Sequence, residues 1–281
     1  MPLRSGGLDA YGATHIGKVR SVNEDQFLIA SLMKLVEIEQ TSLQDSDLGQ
    51  LTGPGRAALL MVADGVGGLQ AGEKASETAL ENVARYVTQA MRCYYTVDEA
   101  AEERFIEELR TAVMRTHEDV QQAGEAHPGQ EGMATTLTLV NVVNRRAYVV
   151  QVGDSRCYLF RDGELSQITR DQTVAQDLVD QGVMSAVTAE HSPFSHILSS
   201  AIGGTASPEV YTLDLHTDDM LLLSTDGLTK HVSNVELREQ LGSPDSAEAI
   251  CNRLLQMALD DGGSDNVTVV VARVLEPPVE D

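Results

Sequence analysis

Tryptophan is absent from this chain, aromatic residues make up only 4% of it, and cysteine occurs three times in 281 residues. Cys93, Cys157 and Cys251 are far apart and form no CxxC pair. That spacing suggests neither a disulfide framework nor a thiolate zinc site, and it fits a reducing interior. No apolar run approaches the roughly 18 residues that cross a bilayer. The opening "MPLRSGGLDAYG" lacks the apolar core of a secretory leader, so the expected location is cytoplasmic, away from membranes. Basic residues are also scarce, 20 against 43 acidic ones, for a formal charge of -23. Such a field repels nucleic acid and favours cations or basic protein segments. No repeat, heptad or low-complexity tract appears.

What is present suffices for a sizeable core, since 42% of the residues are hydrophobic. Residues 8 to 30 read as strand, loop, strand. Residues 37 to 57, "EIEQTSLQDSDLGQLTGPGRA", are acidic and punctuated by glycine and proline, the pattern of a surface insertion between strands. "AALLMVAD" is a continuous apolar run, as in a strand buried on both faces. Apolar residues then recur at helical intervals from Ala71 to Cys93 and again from about Asp98 to Gln122. Strands return in "TTLTLVNVV", "RRAYVVQVGD" and "RCYLFRDGELSQIT", the last with Asp162-Gly163 as a hairpin turn. "VYTLDL", "DMLLLSTDG" and "NVTVVVARV" are further strands, with a helix near Ser246 to Asp260 between the last two. Antiparallel-looking strands with helices in two blocks predict one α+β domain, a β-sandwich flanked by helices.

The unusual feature is where the acidic residues fall. Apolar strands end, or are entered, at "VADG" (Asp64), "VGDSR" (Asp154), "LSTDG" (Asp226) and "GGSDNVTVVV" (Asp265), and "NEDQF" (Glu24, Asp25) precedes another. Any one of these alone reads as an ordinary turn; their recurrence is more than turn statistics would give. If the strand ends meet at one rim, the carboxylates cannot all stay ionised without cations. Oxygen-only ligation favours Mg²⁺ or Mn²⁺ over Zn²⁺. Gly65 would leave its carbonyl free as a further ligand. Arg20, four residues before Glu24, offers a fork for a phosphate; the competing reading is a surface salt bridge.

In chain order, "GKVRSVNEDQF", "VADGVGG", "GMATTLTLV", "VGDSRCYLFRDGELSQITRDQT", "LLLSTDGLTKHVS" and "GGSDNVTVVV" resemble the motif series of the PP2C (PPM) metal-dependent protein serine/threonine phosphatases in their bacterial form. The match runs from about Leu8 to Leu275. The resemblance implies a four-layer α/β/β/α sandwich with a two-ion Mn²⁺ or Mg²⁺ centre. It implies that Asp64 bridges the ions and Gly65 binds one through its carbonyl. Asp226 and Asp265 would hold the first ion, and Glu24 the second with Asp25 alongside. Arg20 would take the substrate phosphate, and Asp154 would help hold a third ion. Residues 174 to 200 are similar to the flap beside the cleft in those enzymes, and His196 there is a candidate substrate contact.

Two departures from the family pattern stand out. Eukaryotic members carry histidine two residues after the bridging aspartate, whereas this chain has Val66, which leaves the proton donor open. The 37–57 insertion and the segment "EHSPFSHILSSAIGG" also differ from the commonest bacterial pattern. The expected reaction is hydrolysis of phosphoserine and phosphothreonine on proteins, by attack of a water held between the two ions. The expected partners are phosphorylated proteins and a cognate bacterial Ser/Thr kinase, with the enzyme a monomer. The alternatives are a dedicated regulatory phosphatase for one partner and a metal-binding, inactive scaffold.

Overall fold

The structure, a computed structural model, describes residues 7–32, 35–37, 50–52, 57–67, 70–90 and 99–276. The N-terminal half contains β1 (Leu8–His15), β2 (Asp25–Leu32), the short β3 (Leu35–Glu37) and β4 (Gln50–Thr52), β5 (Ala57–Val66), and the helices α1 (Gln70–Ala90) and α2 (Glu99–Ala126). Next come β6 (Ala134–Thr135), β7 (Leu137–Val143), β8 (Arg146–Val152), β9 (Arg156–Arg161), β10 (Glu164–Gln167) and the short helices α3 (Val174–Asp180) and α4 (Ala186–Glu190), then a 3-10 turn, Pro193–His196. The chain closes with β11 (Glu209–Asp214), β12 (Met220–Ser224), α5 (Asp226–Thr229), α6 (Asn234–Leu241), α7 (Ala247–Asp260) and β13 (Val267–Val274).

Two antiparallel sheets form the middle of the molecule. One runs β1-β13-β12-β9-β10 and the other β11-β8-β7-β5-β2, with β6 pairing to the end of β5. The alternation of side chains along each strand dictates the layers. In β5, Ala58, Leu60 and Val62 face the opposite sheet, while Leu59, Met61 and Ala63 face α1 and α2. In β13, Val270, Ala272 and Val274 enter the same central core, and Val267, Val269 and Val271 turn toward α5, α6 and α7. Strands buried on both faces explain the continuous apolar runs of the sequence. The helices cover the outside through Val83, Val87, Phe105, Leu109 and Val113 on one flank and Ile250, Leu254 and Ala258 on the other. The result is the α/β/β/α sandwich of an α+β fold.

Several local expectations need adjustment. α2 runs on to Ala126. α6 was not foreseen, although Ser233 and Glu236 form a full capping box at its start. β5 does not stop at Asp64: Gly65 and Val66 continue it by pairing with Thr135 and Ala134. Asp226 lies at the first position of α5 and not at a strand end. Of the proposed 37–57 insertion, residues 38–49 and 53–56 lie outside the described residues; the described ends pair as β3 and β4. The end of the first helix at Cys93 also lies outside them.

Candidate active site

The carboxylates of the sequence motifs gather where the two sheets meet at one end of the sandwich. β2 and β5 are paired so that Asp25 lies directly across from Asp64. Like charges in that register repel, so the sequence must have a compensating use for them. Behind them, Thr225, between β12 and α5, donates through its hydroxyl to Asp25 Oδ2 at 2.8 Å, and the Thr268 amide donates to Thr225 Oγ1 at 3.0 Å. Asp25 is 1% exposed. Asp64 is fixed through its backbone: its amide donates to Thr136 Oγ1 at 2.9 Å, and its carbonyl accepts from the Thr136 amide at 2.9 Å.

The loop before β2 is tied down by Asn266, a residue that sequence reasoning did not single out. Its side-chain amide donates to the carbonyls of Ile16 and Val22 at 2.9 Å each, and its Oδ1 accepts from the Glu24 amide at 2.8 Å. Gly65 is demanded by packing as well as by any ligand role. A Cβ there would overlap the carbonyl oxygen of Gly72, and the Gly65 amide donates to the Glu24 carbonyl at 3.1 Å. The absence of a side chain at Gly72 in turn makes room for the Glu24 carboxylate.

These groups surround a cavity of about 240 Å³ whose walls include Arg20, Glu24, Asp64, Asp154, Asp226 and Asp265. Gly65, Val66 and the exposed His196 also line it. Asp25 stands behind Asp64 and is not part of the wall. Asp154 is shared with an adjoining groove of about 590 Å³. That groove is bounded by residues 174–200, which fold as α3, α4 and the 3-10 turn, anchored by Val174 and Ser199 amides donating to Ile197 and Gln172 carbonyls.

The electrostatics show too much negative charge in too little water. Burial, and then the neighbouring Asp25, Asp226, Asp154 and Asp265, push the Asp64 carboxyl well above the usual range. Burial pushes both Asp25 and Asp154 up to about 7, with Asp226 adding to each. Burial also raises Glu24, against the pull of Arg20. Asp265 goes the other way. Burial would raise it, but hydrogen bonds from Arg20 and Lys230 outweigh that and hold it below the ordinary value.

Two cations stand among the acids. Arg20 embraces Asp265 with two bonds, Nε to Oδ1 at 2.7 Å and Nη2 to Oδ2 at 2.9 Å. The salt bridge expected as the competing reading is therefore present, and its partner is itself a site residue. Lys230, inside the "LLLSTDGLTKHVS" motif but not singled out, reaches Asp226 at 2.6 Å and Asp265 at 2.8 Å. Burial opposes its charge, yet the two carboxylates prevail and hold it above the ordinary lysine value. Its position four residues after Asp226 at the end of a helical turn was the available signal.

Among the described residues, no three His, Cys, Asp or Glu side chains already converge closely enough to hold one ion. The donor set nonetheless fits divalent cations. Glu24 Oε1, Asp25 Oδ1 and Asp226 Oδ1 are buried carboxylate oxygens with no hydrogen-bond donor. Such oxygens are costly unless a cation meets them, and an all-oxygen set suits Mg²⁺ or Mn²⁺. His15 is exposed, accepts from the Gly17 amide at 2.9 Å, and is not part of the cavity wall.

Residues 37–269 match the family model described as protein phosphatase 2C. The chain is 38% identical over 221 residues to the serine/threonine protein phosphatase PstP of Mycobacterium tuberculosis, covering 78% of this chain and 41% of PstP. It thus spans well under half the length of that relative. It is 32% identical over 254 residues to the protein phosphatase PhpP of Streptococcus pneumoniae, covering 89% of this chain and 99% of PhpP. Among solved structures, it matches that of PstP with a TM-score of 0.76 at 33% identity, covering 96% of this chain and 99% of the other. The PstP catalytic domain in complex with 2 manganese ions matches with a TM-score of 0.73, also at 33% identity, covering 96% of this chain and 99% of that one. With a family match across most of its length, and carboxylates gathered from both sheets around one cavity, the chain belongs to the protein phosphatase 2C family.

Proposed function

We propose that this chain is a divalent-metal-dependent phosphatase that hydrolyses phosphoserine and phosphothreonine on proteins. One observation carries the reading: buried carboxylate oxygens without donors, on Glu24 and Asp226, beside a cavity that also exposes Asp64, Asp265 and an arginine. Asp64, Asp226 and Asp265, with Glu24 and the Gly65 carbonyl, would hold two ions, and Asp154 a third. When bound, such ions supply Lewis acidity toward phosphoryl oxygens and lower the pKa of a ligated water.

The chain's own contribution is position and charge. Backbone bonds from Thr136 fix Asp64, and Asn266 fixes the loop of Arg20 and Glu24. Arg20 commits Nε and Nη2 to Asp265, which leaves Nη1 for a substrate oxygen. The oxygens of a phosphate monoester would then face positive charge held in position, which is where phosphoryl transfer gains most. Val66 carries no proton to donate and His15 lies off the cavity wall, so in this reading His196, at the wall, is the nearer candidate for a substrate contact or proton donor.

Residues 8–275 act in this reading as one catalytic unit, including the insertion and the flap, because its ligands come from both sheets. Among the described residues no helix is long and apolar enough to cross a membrane. We place the enzyme in the cytoplasm as a monomer, opposing a cognate Ser/Thr kinase. The test is phosphate release from a phosphothreonine peptide with Mn²⁺ and with a chelator. Release that persists undiminished in the chelator would refute the proposal.

A further inference from the structure

We propose that Lys230 is a resident counter-ion, holding Asp226 and Asp265 together in the metal-free protein and yielding when a divalent ion binds them. The proposal rests on the reading of these aspartates as ion ligands. Asp226 opens α5 and Asp265 precedes β13, so the two carboxylates arrive from separate parts of the chain. Lys230 spans them, with Nζ at 2.6 Å from Asp226 Oδ2 and 2.8 Å from Asp265 Oδ2. Arg20 contacts Asp265 but makes no bond to Asp226. The lysine side chain is 27% exposed and the two carboxylates 20% and 16%, so water screens these contacts poorly.

The geometry also explains how the lysine could give way. It uses one oxygen of Asp226 and leaves Oδ1 buried without a donor. An ammonium on a four-carbon stem can move without disturbing its backbone. Lys230 lines both the 240 Å³ cavity and the adjoining 590 Å³ groove, so its head has space to move into. An incoming ion must then replace two charge contacts as well as shed its own waters. Residue 230 thereby sets the ion concentration at which the site loads. A neutral side chain there would give tighter ion binding and a less stable metal-free protein.

The experiment compares the parent chain with Lys230→Met and Lys230→Arg. Mn²⁺ affinity is read by calorimetry, entered from the loaded side by competition with a chelator so that weak folding without metal does not block it. Thermal unfolding is followed with metal stripped. Lys230→Met is expected to bind Mn²⁺ about tenfold or more tightly and to melt lower without metal, outright unfolding included. Lys230→Arg should stay within about threefold of the parent in affinity. An unchanged or weaker affinity in Lys230→Met, or an unchanged metal-free melting point, overturns the proposal. A parent chain that binds no Mn²⁺ overturns the ion-ligand reading itself, which keeps the two failures apart.

Discussion

Replacing Asp25 by asparagine should favour the metal-free fold, relative to the parent, increasingly as pH rises from 5 to 7.5. Burial raises this carboxyl from 3.8 to about 7. Below pH 3.8 the group is protonated in both the folded and the unfolded chain, and its stabilising contribution is whole. As pH rises toward 7 the unfolded chain releases its proton and the folded chain does not, so stability is lost. At 1.36 kcal/mol per unit, linkage puts the loss at about 2 kcal/mol at pH 5 and about 4 kcal/mol at pH 7.5. Asparagine removes that loss. It can still accept the Thr225 hydroxyl, but its amide would face the position of Oδ1, which has no partner, at a cost of about 1–3 kcal/mol. That cost does not vary with pH, so the pH dependence of the difference reports the Asp25 charge together with its repulsion of Asp64. From pH 5 to pH 7.5 it should move by about 2–3 kcal/mol in favour of the variant, or roughly 5 °C in Tm for a chain of this size. Thermal unfolding in excess chelator at the two pH values measures it. A difference between the proteins that is the same at both pH values would refute the argument that Asp25 is a buried charge awaiting compensation.

Other outcomes follow from the same geometry. Asp64→Asn and Asp226→Asn should each cut phosphatase turnover by far more than tenfold, a loss beyond ~1.4 kcal/mol, with circular dichroism unchanged. Arg20→Ala should weaken phosphopeptide use through KM more than it alters Mn²⁺ affinity in calorimetry, since Asp265 keeps Lys230 as a partner. With Val66 in place of histidine, kcat should show no histidine-like fall between about pH 7 and 8.5. His196→Ala should retain that profile, and a descending limb that disappears in the variant would make His196 the acid.

The layers of the fold were legible in the sequence because burial on both faces writes itself as unbroken apolar runs. β5, β12 and β13 are such runs, and their alternate residues supply two cores each. α1 and α2 showed through their helical spacing. α6 was overlooked because its apolar face is short, only Leu237 and Leu241 being buried, although its capping box was there to read. The acidic residues of the site could likewise be picked out one by one from their places beside small residues and apolar runs.

What no linear pattern contains is how those residues meet. Only the sheet register puts Asp25 across from Asp64, and only the packing of Gly65 on Gly72 brings the start of α1 against Glu24. Asn266 reads as one polar residue before a strand, yet it holds a loop some 240 residues away through three hydrogen bonds. Arg20 and Lys230 are separate cations in sequence, but the fold closes both on Asp265. Composition and spacing determined which groups are available and which faces they take. The tertiary structure decided which charges share a space, because electrostatic energy depends on separation through space and on burial, neither of which follows from distance along the chain.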